Sequence, residues 1–118
     1  MPKNLIDALI EVESNGDDNA EGDMHLQNHT FGCLQIRLPV CIDVNNKFNT
    51  SIEPQDMLGN RALSIDTFHK YISIYATAAR LGREPTDQDC ARIWNGGPNG
   101  YKSGATVHYW EKVEGAMA

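Results

Sequence analysis

The chain has 118 residues, of which 41% are hydrophobic and 22% are charged, and its formal net charge is −6 at pH 7. This length suits a real hydrophobic core, so we expect residues 1–118 to form a single compact, soluble domain. The negative charge would repel phosphate backbones and anionic lipid heads, and no run of Lys or Arg interrupts it. Nucleic acid and membranes are therefore not expected as partners.

The N-terminus and the cysteines indicate where the chain is made. The first segment, MPKNLIDALIEVES, has one lysine, a short apolar stretch broken by Asp7 and no small-residue cleavage site, so it lacks the anatomy of a signal peptide. The three cysteines, Cys33, Cys41 and Cys90, are odd in number and lack C-x-x-C spacing, which favours reduced packing thiols. We therefore expect the chain to be synthesised in the cytoplasm. We also expect it to be a monomer.

The first predicted helix places two nearby glutamates in different environments. On a wheel of ~100° per residue, one arc of roughly 160° holds five apolar side chains: Leu5, Ile6, Leu9, Ile10 and Val12. Glu13 lies inside this arc, whereas Glu11 falls on the opposite side. We therefore expect Glu11 to be a solvated surface charge and Glu13 to be partly buried at the helix end.

The middle of the chain is predicted to change from loop to helix. Residues 15–32 are rich in Asn, Asp and Gly, which predicts a loop or a small irregular hairpin. A short helix is expected around residues 39–47. Beyond Pro54, which suits a first helical turn, apolar residues recur every three or four positions as far as Leu81. This spacing predicts one long central helix that ends at Gly82.

The C-terminal part is predicted to hold two more helices. Thr86 can cap the first of them, and Asp89 stands three positions later, which is the spacing of a capping box. This helix is expected to end at Trp94 or Asn95. The loop NGGPNGYKSG then leads into a last helix with one apolar side. The predicted architecture is mainly α-helical with a minor β element.

The position of Glu13 suggests acid chemistry. A carboxyl group that is desolvated, and that lies near the negative end of a helix dipole, has a raised pKa. If it keeps its proton near neutral pH, it can donate that proton to a glycosidic oxygen. The residues alone leave a second interpretation open, in which Glu13 is a structural carboxylate bonded to the backbone or to Arg37.

Three motifs occur in a fixed order along the chain. Glu13-Ser14 closes the first helix, FGCLQI at residues 31–36 contains a G-x-x-Q-I segment, and ARIWNGGPNGY at residues 91–101 is similar to A-x-Y-N-x-G. Together they resemble the lysozyme-like lytic transglycosylases of the soluble type, including phage and secretion-associated members. The likeness covers most of the chain, although the segment that joins the first two motifs looks longer than in many relatives.

The resemblance implies a mainly α, lysozyme-like α+β fold with a long central helix and a small β-hairpin or loop region. It implies that Glu13 is the catalytic acid and later the base, and that Ser14 positions the substrate or the glutamate. The further residues expected to bind the sugars are Gln35, Trp94, Asn95 and Tyr101. Trp94 stands where the family usually has tyrosine, so an aromatic surface is kept while the hydroxyl is lost.

The resemblance also implies a reaction. The family cleaves the β-1,4 bond between N-acetylmuramic acid and N-acetylglucosamine in peptidoglycan strands and leaves a 1,6-anhydromuramyl product. Because no water is consumed, the reaction needs neither a second carboxylate nor a cofactor. A chain without a signal peptide would reach the cell wall as a phage endolysin released through membrane holes, or by delivery inside a particle or secretion machine.

Two alternatives of different kinds stay open. In a hydrolytic lysozyme, Asp23 or Glu21 would serve as a second carboxylate beside Glu13. Asp23 with Thr30 is similar to the Glu, Asp and Thr series of phage lysozymes, although acids in such a loop also commonly cap turns. The other alternative is a catalytically silent wall-binding or virion structural domain that keeps the fold.

A zinc site is the remaining possibility that the spacing raises. His25, His29 and Cys33 are four residues apart and would share one face of a helix. The surrounding Asn and Gly residues disfavour a helix, and a fourth ligand is not evident. We therefore expect no metal.

Overall fold

The computed structural model describes residues 3–118 and shows a predominantly helical protein with one small antiparallel sheet. We label the α-helices and β-strands in chain order: α1 (Leu5–Ser14), β1 (Glu21–Gly22), β2 (Thr30–Phe31), α2 (Leu38–Phe48), α3 (Arg61–Tyr75), α4 (Ala78–Leu81), α5 (Asp87–Gly96) and α6 (Val107–Met117). Short 3-10 turns lie at Pro54–Met57, Gly100–Lys102 and Gly104–Thr106. This is the mainly α architecture that the sequence predicts.

The chain divides into two compact units. One unit is Glu13–Tyr71, and the other combines Ile72–Ala118 with the residues that precede Glu13. Helix α1 therefore contributes to both units, and so does α3. The expectation of a single domain over residues 1–118 stays a prediction.

The unit Glu13–Tyr71 contains the sheet and a buried apolar centre. In the hairpin, Glu21 pairs with Phe31 and Gly22 pairs with Thr30, so the predicted small hairpin is confirmed. Helix α2 also agrees with the expected short helix around residues 39–47. The fully buried apolar side chains of this unit include Cys33, Leu34, Ile36, Cys41, Val44 and Met57. All three cysteines of the chain are free thiols.

The predicted helix from Pro54 to Leu81 is wrong in its bounds, because the chain breaks twice within it. Gly59 takes a left-handed conformation (φ +65°), and the Asn60 side chain then caps α3 by accepting the backbone N–H of Leu63 at 3.1 Å. A second break falls at Thr77, whose extended backbone (φ −120°, ψ 151°) starts α4. With 15 residues, α3 is the longest helix among residues 3–118.

The buried face of α3 also differs from the apolar pattern. The buried residues are Ser64, Thr67, Phe68 and Tyr71, which keep the spacing of one helix face. Leu58, which the pattern places on the buried face, is 38% exposed. The apolar spacing predicts a face through Ala62, Ile65 and Ile72, but Ala62 is exposed and the two isoleucines are only partly buried.

The start of α5 agrees with its prediction in detail. Asp89 is the N3 residue, and its carboxylate accepts a hydrogen bond from the backbone N–H of Thr86 at 2.9 Å. In return, the Thr86 hydroxyl oxygen accepts a hydrogen bond from the backbone N–H of Asp89 at 3.2 Å. The Arg83 guanidinium binds the same carboxylate through both of its terminal nitrogens. These donors hold the pKa of Asp89 down at about 2, mainly through the Arg83 hydrogen bond.

Candidate functional site

Glu13 lies in the last turn of α1 and is partly buried. The helix ends directly after Ser14 because Asn15 (φ +54°) and Gly16 (φ +85°) both adopt left-handed conformations. Glu11, two residues earlier, forms an ion pair with Lys3 on the surface, as the helical wheel predicts. Both glutamates are partly buried, so the contrast that the helical wheel predicts between them stays a prediction.

Ser14 connects the end of α1 to the second motif. Its hydroxyl donates a 2.8 Å hydrogen bond to the carbonyl oxygen of Cys33, two residues before Gln35. Cys33 is fully buried, so this bond anchors the C-terminal turn of α1 to an apolar interior. The bond supports a role for Ser14 in positioning the backbone that carries Glu13.

Gln35 is held inside the hairpin. Its amide oxygen accepts the Thr30 hydroxyl at 2.6 Å, and its amide nitrogen donates to the carbonyl of Gly32 at 2.9 Å. The backbone of Gln35 is left-handed (φ +53°), which is unusual for a residue with a side chain. A Cβ added at Gly22 would lie 2.6 Å from Thr30 Oγ1 and closer still to Gln35 Oε1. A side chain at position 22 would therefore force the Gln35 amide to move.

The two candidate second carboxylates both have basic partners. Asp23 binds the guanidinium of Arg37, and its backbone is left-handed (φ +52°). Glu21 Oε2 lies 2.9 Å from Nδ1 of His29 across the hairpin. Arg37 also has a buried Nε atom that finds no hydrogen-bond partner within residues 3–118. The unit Glu13–Tyr71 contains five of the predicted site residues: Glu13, Ser14, Glu21, Asp23 and Gln35.

The other predicted site residues belong to the second unit. Trp94 is 9% exposed in α5, so most of its indole is packed rather than presented, whereas the neighbouring Asn95 is exposed. Tyr101 is partly buried in the turn Gly100–Lys102. The Arg80 guanidinium lies 6.0 Å from the centre of the Tyr101 ring, within cation–π range.

Sequence reasoning missed how the loop around Tyr101 is held. Arg80 donates to the carbonyl of Pro98 at 3.0 Å and to the side chain of Asn99 at 3.2 Å. Gly100 packs so closely on the carbonyl of Arg92 that no side chain fits there. No local signal reveals these contacts, because Arg80 is separated from its partners by 18 and 19 positions. The substrate-binding roles of Trp94, Asn95 and Tyr101 stay predictions.

The zinc spacing does not produce a metal cluster in the described part of the chain. His29 is bound to Glu21 and packs near Phe31, with ring centres 6.2 Å apart, while Cys33 is buried. Residues 3–118 contain no group of three or more His, Cys, Asp or Glu side chains that could hold a metal ion. Over the same residues, no helix is long and apolar enough to cross a membrane.

The fold has known counterparts. No protein-family model and no curated protein sequence matches the chain. Among solved structures, Tapes japonica lysozyme aligns with a TM-score of 0.76 and 24% identity over 93% of this chain and 85% of that one. An inhibitor-bound lysozyme from Meretrix lusoria aligns with a TM-score of 0.77 and 22% identity over 94% and 86%. The chain has a lysozyme-like fold.

A third structure gives the same result. A chain in the complex of Aeromonas hydrophila PliI with Meretrix lusoria lysozyme aligns with a TM-score of 0.78 and 22% identity, again over 94% of this chain and 86% of that one. These alignments confirm the predicted fold class. They support the lysozyme-like part of the sequence resemblance and do not single out the lytic transglycosylases.

Proposed function

We propose that this protein is a muramidase that cleaves the β-1,4 bond between N-acetylmuramic acid and N-acetylglucosamine in peptidoglycan, with Glu13 as the acid. The observation that carries the proposal is the partly buried carboxyl group in the last turn of α1, in a chain with the fold of lysozymes. The proposed substrate is the glycan strand of the cell wall. The chain would act there as a monomer after release or delivery, as a phage endolysin or a secretion-associated enzyme.

The position of Glu13 suits proton donation. Glu13 is partly buried and lies at the C-terminal end of α1, where the helix dipole is negative. In the proposed first step, Glu13 gives its proton to the glycosidic oxygen as the bond from that oxygen to the muramyl C1 breaks. Ser14 supports the step indirectly, because its bond to the Cys33 carbonyl holds the turn that carries Glu13.

The motif resemblance favours a transglycosylase route for the second step. In this route the 6-hydroxyl of the muramyl residue attacks its own C1, and Glu13, now a carboxylate, takes the proton of that hydroxyl. The C1–O6 bond closes a 1,6-anhydro ring and no water enters. One acid is sufficient, so the engagement of Asp23 and Glu21 in ion pairs is compatible with this route.

Hydrolysis is the second candidate, and the geometry of Asp23 favours it. The Arg37 guanidinium binds this carboxylate, and a hydrolase requires a second carboxylate as the partner of its acid. A non-glycine residue held in a left-handed conformation is also typical of functional sites. Asp23 is therefore a better second carboxylate than a solvated loop acid would be.

Product analysis tests both the activity and the route. Purified peptidoglycan is digested with the wild-type protein, and the fragments are analysed by mass spectrometry for anhydromuramyl or reducing muramyl ends. We expect Glu13→Gln to reduce cleavage by about 10²- to 10⁴-fold, because it removes the general acid. Glu11→Gln, a surface change in the same helix, is the matched control and keeps full activity.

Each outcome has a defined meaning. Anhydromuramyl ends that persist in Asp23→Asn support the transglycosylase route, whereas reducing ends that disappear in Asp23→Asn support hydrolysis. If the wild type binds cell walls without cleaving them, the proposal fails and the chain is a silent wall-binding domain. Equal activity of Glu13→Gln and Glu11→Gln would also overturn the assignment of the acid.

A further inference from the structure

A pocket of about 240 Å³ opens on the unit Glu13–Tyr71. It lies between the loop that joins β1 to β2, the start of α2 and the turn Pro54–Met57, and we call it the hairpin pocket. It is lined by Gln27, Asn28, His29, Phe31, Leu38, Pro54 and Gln55. None of the residues proposed for catalysis is among them, and His29 of the lining pairs with Glu21, a candidate second carboxylate.

The polar part of the lining consists of primary amides. Gln27, Asn28 and Gln55 are all exposed, and each amide offers two donor hydrogens and one acceptor oxygen. Such a set can pair with an N–H and a carbonyl of the same ligand. The amides therefore match a ligand that itself carries an amide group.

The rest of the lining is apolar and aromatic. Leu38 and Pro54 provide aliphatic surface, and the rings of His29 and Phe31 are inclined by 30° with their centres 6.2 Å apart. Aromatic faces pack well against the C–H face of a sugar ring, and an aliphatic wall accepts a methyl group. This combination of features suits an acetamido methyl beside a pyranose ring.

The charge of the pocket excludes most other small ligands. The lining contains no Lys, Arg, Asp or Glu, and Glu21 lies 2.9 Å from the one imidazole, which offsets any positive charge on His29. Since the whole chain carries a net charge of −6, an anion gains nothing here. A metal or an ammonium group would find no carboxylate in the lining. The pocket is therefore suited to a neutral ligand.

The volume limits the ligand to one unit. Pockets for drug-sized ligands span about 300–1,000 Å³, and the hairpin pocket is smaller than this range. A single sugar ring fits this size better than an oligosaccharide does. N-acetylglucosamine is neutral and has an acetamido group, whereas N-acetylmuramic acid carries a carboxylate.

We propose that the hairpin pocket is an accessory binding site for one neutral N-acetylated hexose, which in peptidoglycan is N-acetylglucosamine. The identity of the source rests on the proposed function, since it assumes that glycan strands are the substrate. The site would hold a strand at a second point and so increase the effective concentration of glycosidic bonds near Glu13.

The test uses the wild-type protein and free sugars, which contain no glycosidic bond to cleave. Side-chain amide signals of Gln27, Asn28 and Gln55 are followed by NMR during titration with N-acetylglucosamine. We expect these signals to shift with N-acetylglucosamine and to shift far less with glucose or with N-acetylmuramic acid. Gln55→Leu should weaken binding about three- to tenfold, the effect of one lost hydrogen bond.

The matched control is Gln88→Leu, which removes another exposed glutamine at the second position of a helical segment, outside the pocket. Unchanged binding in this control, with weaker binding in Gln55→Leu, supports the proposal. Equal binding in both variants overturns the location. Binding of N-acetylmuramic acid or of a neutral dipeptide in preference to N-acetylglucosamine overturns the ligand class.

The outcomes also separate this site from the proposed function. If the wild type cleaves peptidoglycan and the amide signals do not shift, the accessory site fails and the muramidase stands. If the signals shift as expected and the wild type does not cleave peptidoglycan, the sugar site stands and the muramidase fails.

Discussion

The buried carboxylate of Asp89 should make a measurable, pH-dependent contribution to stability. Its side chain is 3% exposed and accepts hydrogen bonds from Arg83 and from Thr86. The ordinary pKa is 3.8, and the folded-state value is about 2. A difference of nearly two pKa units, at 1.36 kcal/mol each, corresponds to about 2 kcal/mol of free energy of unfolding.

The sign of the effect follows from the lowered pKa. Because the folded state holds the carboxylate ionised more strongly than the unfolded state does, the contribution is complete above pH 3.8 and is lost as the pH falls towards 2. Asp89→Asn should therefore destabilise the protein by about 2 kcal/mol at pH 7, and the difference from wild type should shrink in acid.

Urea unfolding, followed by tryptophan fluorescence from pH 7 down to pH 2, measures this difference. The control is Asp87→Asn, which removes an exposed acid from the same first helical turn and should cost only about 0.3–1 kcal/mol. The reasoning is refuted if the two variants are equally stable at pH 7, or if the Asp89→Asn difference does not change with pH.

Two further predictions concern the unit Glu13–Tyr71. Gly22→Ala should destabilise the protein by about 1–3 kcal/mol in urea unfolding, because the added methyl group would meet the Gln35 amide. The control is Gly104→Ala, which should be neutral because a Cβ at position 104 has nothing within 4 Å. Equal stability of the two variants would contradict the packing at Gly22. Burial, with smaller contributions from Asp56 and Glu53, raises the pKa of the Cys41 thiol to about 11 from its ordinary value of 9.0. The fraction of Cys41 present as thiolate at pH 8 is therefore about 100-fold lower than for an ordinary cysteine. Mass spectrometry should therefore show Cys41 alkylated much more slowly in the native protein than in urea, and similar rates would refute its burial.

Local chemistry explains what the sequence predicted well. Thr86 and Asp89 define the start of α5 because a capping box needs only residues three positions apart. In this capping box every interacting group lies within one turn of helix, so the pattern contains all the information that is needed.

The long helix shows where this kind of reasoning fails. Apolar spacing continues through Gly59 and Thr77, yet the backbone turns at both positions. The buried face of α3 includes Ser64 and Thr67, whose small side chains fit a closely packed interior despite their polarity. Hydrophobic periodicity predicts neither effect, because it depends on the polarity of side chains and not on the backbone conformation or on the space around each side chain.

The sequence by itself predicted the fold class, through its helical patterning and its three motifs, and it also predicted the approximate bounds of α2 and the capped start of α5. The two helices were predictable because their signals lie within a few residues of one another. The role of Glu13 as the acid stays a prediction. Only the tertiary structure decided that Gln35 is bonded to Thr30 inside the hairpin and that Arg37 binds Asp23. The hairpin pocket likewise exists only after folding. The physical reason is that these features join groups from separate segments, and their distances are set by how the segments pack.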